Sequence, residues 1–447
     1  MPCDLLPMSA NVDWIGRTYT SDVGWELLCD LAEIGGRLGA SEGERRGHER
    51  VMEAFESVGV QNVHFESFEI PKWERGAASL SLSEPTGRSF DGISLPGSPS
   101  GEVEAEVTHL GHGLVSNFER TDLEGKIAVA RSDVPKHHDR WVHRREKYFR
   151  AYNRGAEAFV FQNHVPGCLP PTGSLGGSNE IIGPMPAIGV SKEVGDRIAM
   201  YAREGTVAGS LSVDVTMSDG ESRNVVGTLG PDTEKEVLVC AHVDGHDISE
   251  GALDNASGVA VLSEVARALA EREEELERRV RLVGFGSEEF GLIGSEHYAS
   301  IHKMERIAAV VNCDGVGRGR DLVAKTCGFP GMRDAVEAVT GVLRHPAQIV
   351  PGVNTHSDHW PFVQRGVPGV QIKSDTGDGR GFGHTFADTL DKTDVRAIRD
   401  HSILVTRLVE RLANGNLIAS RDPEGIAEEL RKNDLETPMR VAGDWPF

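Results

Sequence analysis

Residues 236–260 read EVLVCAHVDGHDISEGALDNASGVA. An apolar run enters His242-Val243-Asp244, a polar glycine-containing stretch follows, and helical spacing then covers 255–273. A short apolar strand joined to a helix is the repeating unit of a parallel sheet covered on both faces. The same alternation extends outward over about 223–415. NVVGTL (224–229) comes before it and RVRLVGFGSEE (279–289) after it. A short helix near 294–303, IAAVVNCD (307–314), GVQIKSD (369–375) and a long helix over 394–413 complete the series. The fold class predicted is α/β, a mainly parallel sheet sandwiched by helices.

The flanks read differently. Residues 25–58 carry helical patterning (Trp25, Leu27, Leu28, Leu31, Ile34, then Val51, Met52, Phe55), and VHFESFEI at 63–70 is strand-like. From 84 to 213 Gly, Pro and Ser become frequent and short β-type runs appear: EVEAEVTHL, KIAVARS, AFVFQNH, PAIGVS. This predicts a β-rich domain at 84–213 inserted into a discontinuous domain of 1–83 and 214–447. Inside the insert, 140–154 (RWVHRREKYFRAYNR) reads as a charged amphipathic helix with a solvated face, an anion site being the alternative. The tail, 420–447, is polar, with one helix expected at 424–432.

Composition narrows the function classes. The chain has 447 residues, 39% hydrophobic and 26% charged, which suits an ordinary globular protein of two to three domains. No run of 18 apolar residues and no secretory signal is visible, so a soluble, cytoplasmic protein is expected. The net charge of −22 argues against nucleic-acid and anionic-membrane partners. Arg outnumbers Lys 36 to 11, which fits either a halophilic cytosol or a GC-rich genome. The cysteines (Cys3, Cys29, Cys168, Cys240, Cys313, Cys327) are scattered without CxxC, as expected of reduced thiols.

Ligands of such sheets sit beyond the carboxyl ends of the strands. Here those ends carry His242 and Asp244, Glu288 and Glu289, and Asp314; Asp254 opens the following helix, and His384 lies in GFGHTFADT. Singly, each has a plain structural explanation: an N-cap for Asp254, a solvated turn for Glu288-Glu289, a surface position for His384. Together they form a donor set of imidazole and carboxylate suited to zinc. In an extended H-x-D the two side chains point the same way, so His242 can bind a metal while Asp244 fixes its tautomer. Five ligand-type residues and a spare carboxylate suit a hydrolytic two-metal site.

The motifs AHVD, GALDNASGVA, SEEFGLIGS, NCDGVG, SDHWPF and GHTFADT resemble, in order and spacing, the co-catalytic zinc peptidases: zinc aminopeptidases, glutamate carboxypeptidases and the transferrin-receptor ectodomain. The inserted segment, from FERTDLEGKIAVARSDV through YNRGAEAFVFQNH to MPAIGVS, is similar to a protease-associated domain. The resemblance implies two Zn²⁺, with Co²⁺ or Mn²⁺ able to load the same site. It implies His242 and Asp314 on one ion, Glu289 and His384 on the other, Asp254 between them, Glu288 as general base to an activated water, and Asp244 orienting His242. The activity implied is hydrolysis of short peptides, first as an aminopeptidase. A dipeptidase or carboxypeptidase needs a fixed cation, for which Arg318, Arg320 and Arg380 are candidates. A metal-free receptor and an amide-forming or cyclising enzyme are further readings. Many relatives have Tyr before the last ligand histidine; here Gly383 stands there, with His359 or His356 as candidate replacements. His246 is read as a decoy for the ligands. Quaternary state, including a homo-oligomer, is left open.

Overall fold

The computed structural model describes residues 12–177, 180–375, 377 and 382–447. Cys3 and Arg380 lie outside the described residues. The fold is mixed α/β. At its centre Arg279–Phe285, Glu236–His242, Ile307–Cys313 and Gly369–Ser374 are adjacent parallel strands. Alternation along Glu236–His242 explains why it is buried throughout. Val237, Val239 and Ala241 enter one apolar cluster with helices Val23–Ile34, Ser257–Ala270 and Val395–Asn414. Leu238 and Cys240 enter another, with Tyr298 and Phe362 from the opposite layer. All four strands point their carboxyl ends at one rim, which gathers residues far apart in sequence.

The central sheet continues into a second set of strands. Gly101–His109, Ile127–Arg131, Ala158–Gln162 and Ala187–Val190 are parallel to one another. Two long antiparallel strands, Gln61–Glu84 and Ala208–Leu229, run from the central sheet into this one. The short run expected at 63–70 is therefore one part of a much longer strand. The expected strands and helices of 223–415 are all present. Elements there without a sequence reading include strands Leu322–Lys325 and Ala347–Val350 and helices Pro330–Leu343 and Trp360–Val363. The tail holds two helices, Pro423–Lys432 and Glu436–Ala442.

The solvated helix expected at 140–154 is corrected. The helix is Arg144–Tyr152, and Arg144, Arg145, Glu146 and Lys147 are buried. Their charges are met by backbone and by fixed partners. Arg144 donates to the Ser174 carbonyl, Lys147 to that of Arg131, and Arg145 to those of Leu175 and Ala442 and to Asp444. Glu146 pairs with Arg140 and Arg150.

Arg37, between the first helices, braces the rim. Arg37 is buried and donates to the carbonyls of Leu31, Val243, Glu250 and Gly251. Burial lowers its pKa to about 10, and Asp388, Asp244 and Asp254 support its charge. An unpaired buried carbonyl costs about 1–3 kcal/mol. Arg37→Met is therefore expected to destabilise the chain by about 3–5 kcal/mol. Denaturant midpoints check this; an unchanged midpoint would contradict the clamp.

Candidate metal centre

The rim is assembled from five loops. Strand Glu236–His242 delivers His242, and Asp244 follows two residues on, fully buried. Asp244 Oδ1 lies 3.4 Å from His242 Nδ1. The same carboxylate accepts the Glu288 and Glu289 backbone N–H groups, each at 3.0 Å. One carboxylate thus fixes a ring and the turn bearing two acids. Glu44 braces that turn from the other side, accepting the Ser287 N–H at 2.8 Å.

Asp254 sits in the turn leading into helix Ser257–Ala270. Asp388 accepts the N–H groups of Leu253 (2.8 Å) and Asp254 (3.1 Å), tying this turn to the loop of His384. Asp314 Oδ2 accepts from Ser357 Oγ at 2.6 Å and from Gln371 Nε2 at 2.8 Å. Its Oδ1 is left 4.0 Å from His242 Nε2.

The convergence is direct. Asp254 Oδ1 is 3.3 Å from His242 Nε2, and Asp254 Oδ2 is 3.4 Å from His384 Nε2. Glu289 Oε2 is 3.2 Å from His384 Nε2. Two groups of donor atoms result, each within 4.8 Å: His242, Glu288 and Asp314, and His246, Glu289 and His384. Asp254 faces a histidine of each group. His246, set aside in the sequence reading, lies 2.9 Å from Glu289 Oε2 with its ring 4.2 Å from that of His384. Its spacing of four from His242 was the only signal for it.

The chemistry of these groups fits a divalent cation. Glu289 Oε1 and His246 Nδ1 are buried without a hydrogen bond among the described residues, while His242 Nε2 and His246 Nε2 face carboxylate oxygens of Asp254 and Glu289. Orphaned buried donors and acceptors are rare and call for an explanation, an ion being one. Burial, reinforced by Glu289, Asp358 and Asp314, holds Glu288 well above the ordinary carboxylate range despite His242. Burial also acts upward on Glu289, but His246 and His384 outweigh it and hold Glu289 well below that range. His242 is pulled down by burial, yet Glu288, Asp244 and Asp254 carry it well above an ordinary imidazole. Two neighbouring carboxyls driven apart in this way are a recurring mark of acid–base chemistry.

A cavity of about 1000 Å³ opens over the rim. Asp254, Glu288, Glu289, Asp314 and His384 form its floor. Trp141, His143, Arg144 and Arg145 reach it from the insert, and Trp445 and Phe447 from the tail. His356 lines it, stacked on His143 with ring centroids 4.6 Å apart. His359 does not reach the cavity lining. It is fully buried behind Asn312 and Asn354, where burial lowers its pKa to about 3. Of the arginines proposed as carboxylate anchors, Arg318 and Arg320 are not among the residues lining the cavity, and Arg380 lies outside the described residues. Arg318 lies over the Phe382 ring, and Arg320 pairs with Asp400 at 2.6 Å on the surface. The cations that do line the cavity beyond the floor include Lys325 and Lys373, neither anticipated from sequence.

Comparison with known proteins agrees with this geometry. Residues 224–409 match peptidase family M28. Residues 99–198 match the PA domain, inside the segment expected to be inserted. Carboxypeptidase Q of Bos taurus is 27% identical over 391 residues, covering 82% of this chain and 80% of its own. Aminopeptidase YwaD of Bacillus subtilis (strain 168) is 26% identical over 406 residues, covering 86% and 83%. The solved aminopeptidase from Aneurinibacillus sp. strain AM-1 superposes with a TM-score of 0.70 at 25% identity, covering 92% of this chain and 98% of that one. No helix among the described residues is long and apolar enough to cross a membrane.

Proposed function

We propose that this chain is a zinc-dependent exopeptidase of the M28 type that removes amino-terminal residues from short peptides. The observation that carries the reading is Asp254, whose two oxygens face His242 and His384 in separate donor groups. His242 and Asp314 would hold one ion, Glu289 and His384 the other, and Asp254 both; manganese or cobalt suits the same donors. Bound there, the ions would acidify a water and polarise the scissile carbonyl. Glu288 takes the proton of the attacking water on its carboxylate and delivers it to the leaving amine. Asp244 keeps Glu288 in place through its backbone N–H, and the acidic floor attracts the substrate's ammonium group. On this reading residues 84–213 form the inserted domain and residues 1–83 with 214–447 the catalytic one. The excess of acidic residues and the free thiols of Cys29, Cys168, Cys240, Cys313 and Cys327 support a cytoplasmic, salt-rich setting.

The test is a panel of leucine p-nitroanilide, Leu-Gly and N-acetyl-Leu-Gly with the zinc-loaded protein. Free-amine substrates are expected to turn over about 10- to 100-fold faster than the acetylated one, the loss of one charged contact being worth about 1.5–3 kcal/mol. Equal cleavage of the acetylated peptide would replace the aminopeptidase reading with a carboxypeptidase one. Cleavage of none of them would remove the peptidase reading.

A further inference from the structure

Strands Leu322–Lys325 and Gly369–Ser374 pair antiparallel at the edge of the rim, with Lys325 opposite Gln371. Residues two apart on a strand share a face, so Lys325, Gln371 and Lys373 stand together on one side of this ribbon. All three line the cavity. Gln371 is fixed at both ends of its amide, donating to Asp314 Oδ2 at 2.8 Å and accepting from Asn354 Nδ2 at 2.9 Å. The two lysines that flank it therefore sit about one side chain beyond Asp314. Lys373 leans over the next residue: a Cβ placed on Gly315 would meet its Nζ at 3.9 Å.

Neither ammonium group has a hydrogen bond or an ion pair among the described residues. Like charges on neighbouring strand positions repel and destabilise the ribbon. Burial and Lys373 together lower the Lys325 pKa to about 8. Two half-buried cations held side by side without an ion pair among the described residues, and with only Asp314 near enough to support the charge of Lys325, are a site for an external anion.

We propose that Lys325 and Lys373 bind the free α-carboxylate of the substrate, which makes dipeptides and tripeptides the preferred substrate class. The proposal rests on the exopeptidase reading above and adds the other end of the substrate to it. Consecutive Cα atoms are about 3.8 Å apart, so the carboxylate of a dipeptide or tripeptide lies roughly 4–8 Å past the scissile carbonyl. The lysine pair lines the same cavity as Asp314, with Gln371 between them bonded to that carboxylate, so one short peptide can reach both. The ammonium end meets the acidic floor and the carboxylate end meets the lysines, so a substrate of both charges lies in one direction only.

The test pairs Leu-Gly with Leu-Gly amide, and their non-hydrolysable methyleneamine isosteres, on zinc-loaded wild type and on Lys325→Gln, Lys373→Gln and the double variant. Wild type is expected to favour acid over amide by about 10- to 100-fold in kcat/KM, chiefly through KM, the range of one or two charge-assisted hydrogen bonds. Each single variant lowers that ratio, and the double variant brings it close to one. Calorimetric binding of the two isosteres reads the same ratio without turnover. A wild type that binds acid and amide equally overturns the proposal, as does a double variant that keeps the preference. If no peptide is cleaved but the acid isostere still binds more tightly in a lysine-dependent way, the carboxylate site stands and the exopeptidase reading falls.

Discussion

Glu288→Gln is expected to lower kcat by about 10²–10⁴ while the protein keeps its full metal content, the range lost with a positioned general base. The substitution preserves shape and leaves the backbone N–H of residue 288 on Asp244. What it removes is a carboxylate that can accept a proton beside the donor atoms of His242 and Asp314. Because those atoms all lie within 4.8 Å, the same carboxylate is also near enough to be a ligand. Metal analysis separates the two roles. Loss of one ion equivalent would make Glu288 a ligand, and a kcat near the wild-type value would remove it from the chemistry.

The second large effect concerns metal removal. Dialysis against a chelator is expected to abolish turnover and lower the melting temperature, and zinc is expected to restore both. A ligand that binds only the folded chain at a thousand times its Kd stabilises it by about 4 kcal/mol. The drop is expected to widen as pH rises above the ordinary carboxylate value of 4.5. Glu288, whose pKa burial raises above the ordinary 4.5, costs nothing while protonated in both folded and unfolded chains. It destabilises the stripped fold as pH rises from there toward its folded value. His242, raised above the ordinary 6.5 by its acidic neighbours, adds stability below that value and loses it as pH rises. Glu289 is shifted the opposite way, and its contribution is lost only below the ordinary carboxylate value. Melting curves with and without chelator across this range check the trend, which a constant gap would contradict.

The central strands were readable from sequence because strands buried on both faces are written almost wholly in apolar residues. The acids and histidines at their ends stood out against those runs. Strands Leu322–Lys325 and Ala347–Val350 are four residues each, too short for any period to show. Arg37, Arg144, Arg145 and Lys147 were misread or passed over for a shared reason. Each is buried largely by donating to backbone carbonyls, and carbonyls carry no sequence signature. The lysine pair escaped because it depends on which two strands become neighbours. The resemblance supplied the ligand set, but only the pairing of Lys325 with Gln371 brings a second cation to Lys373.

The strands Gln61–Glu84 and Ala208–Leu229 bear on access. At about 3.3 Å per residue, a 24-residue strand reaches at most ~80 Å, and its partner pairs with it between Gln61 and Glu84 with register shifts at Gln61/His64, Arg75/Ala78 and Leu82/Glu84. This ribbon is a beam shared by both halves of the molecule, and no loop interrupts it to act as a hinge. The Thr172 N–H donating to the His384 carbonyl at 2.8 Å adds a strut across the mouth. The gap between roof and floor is thereby gauged by the framework, and a guest is admitted by its size rather than embraced by a closing jaw.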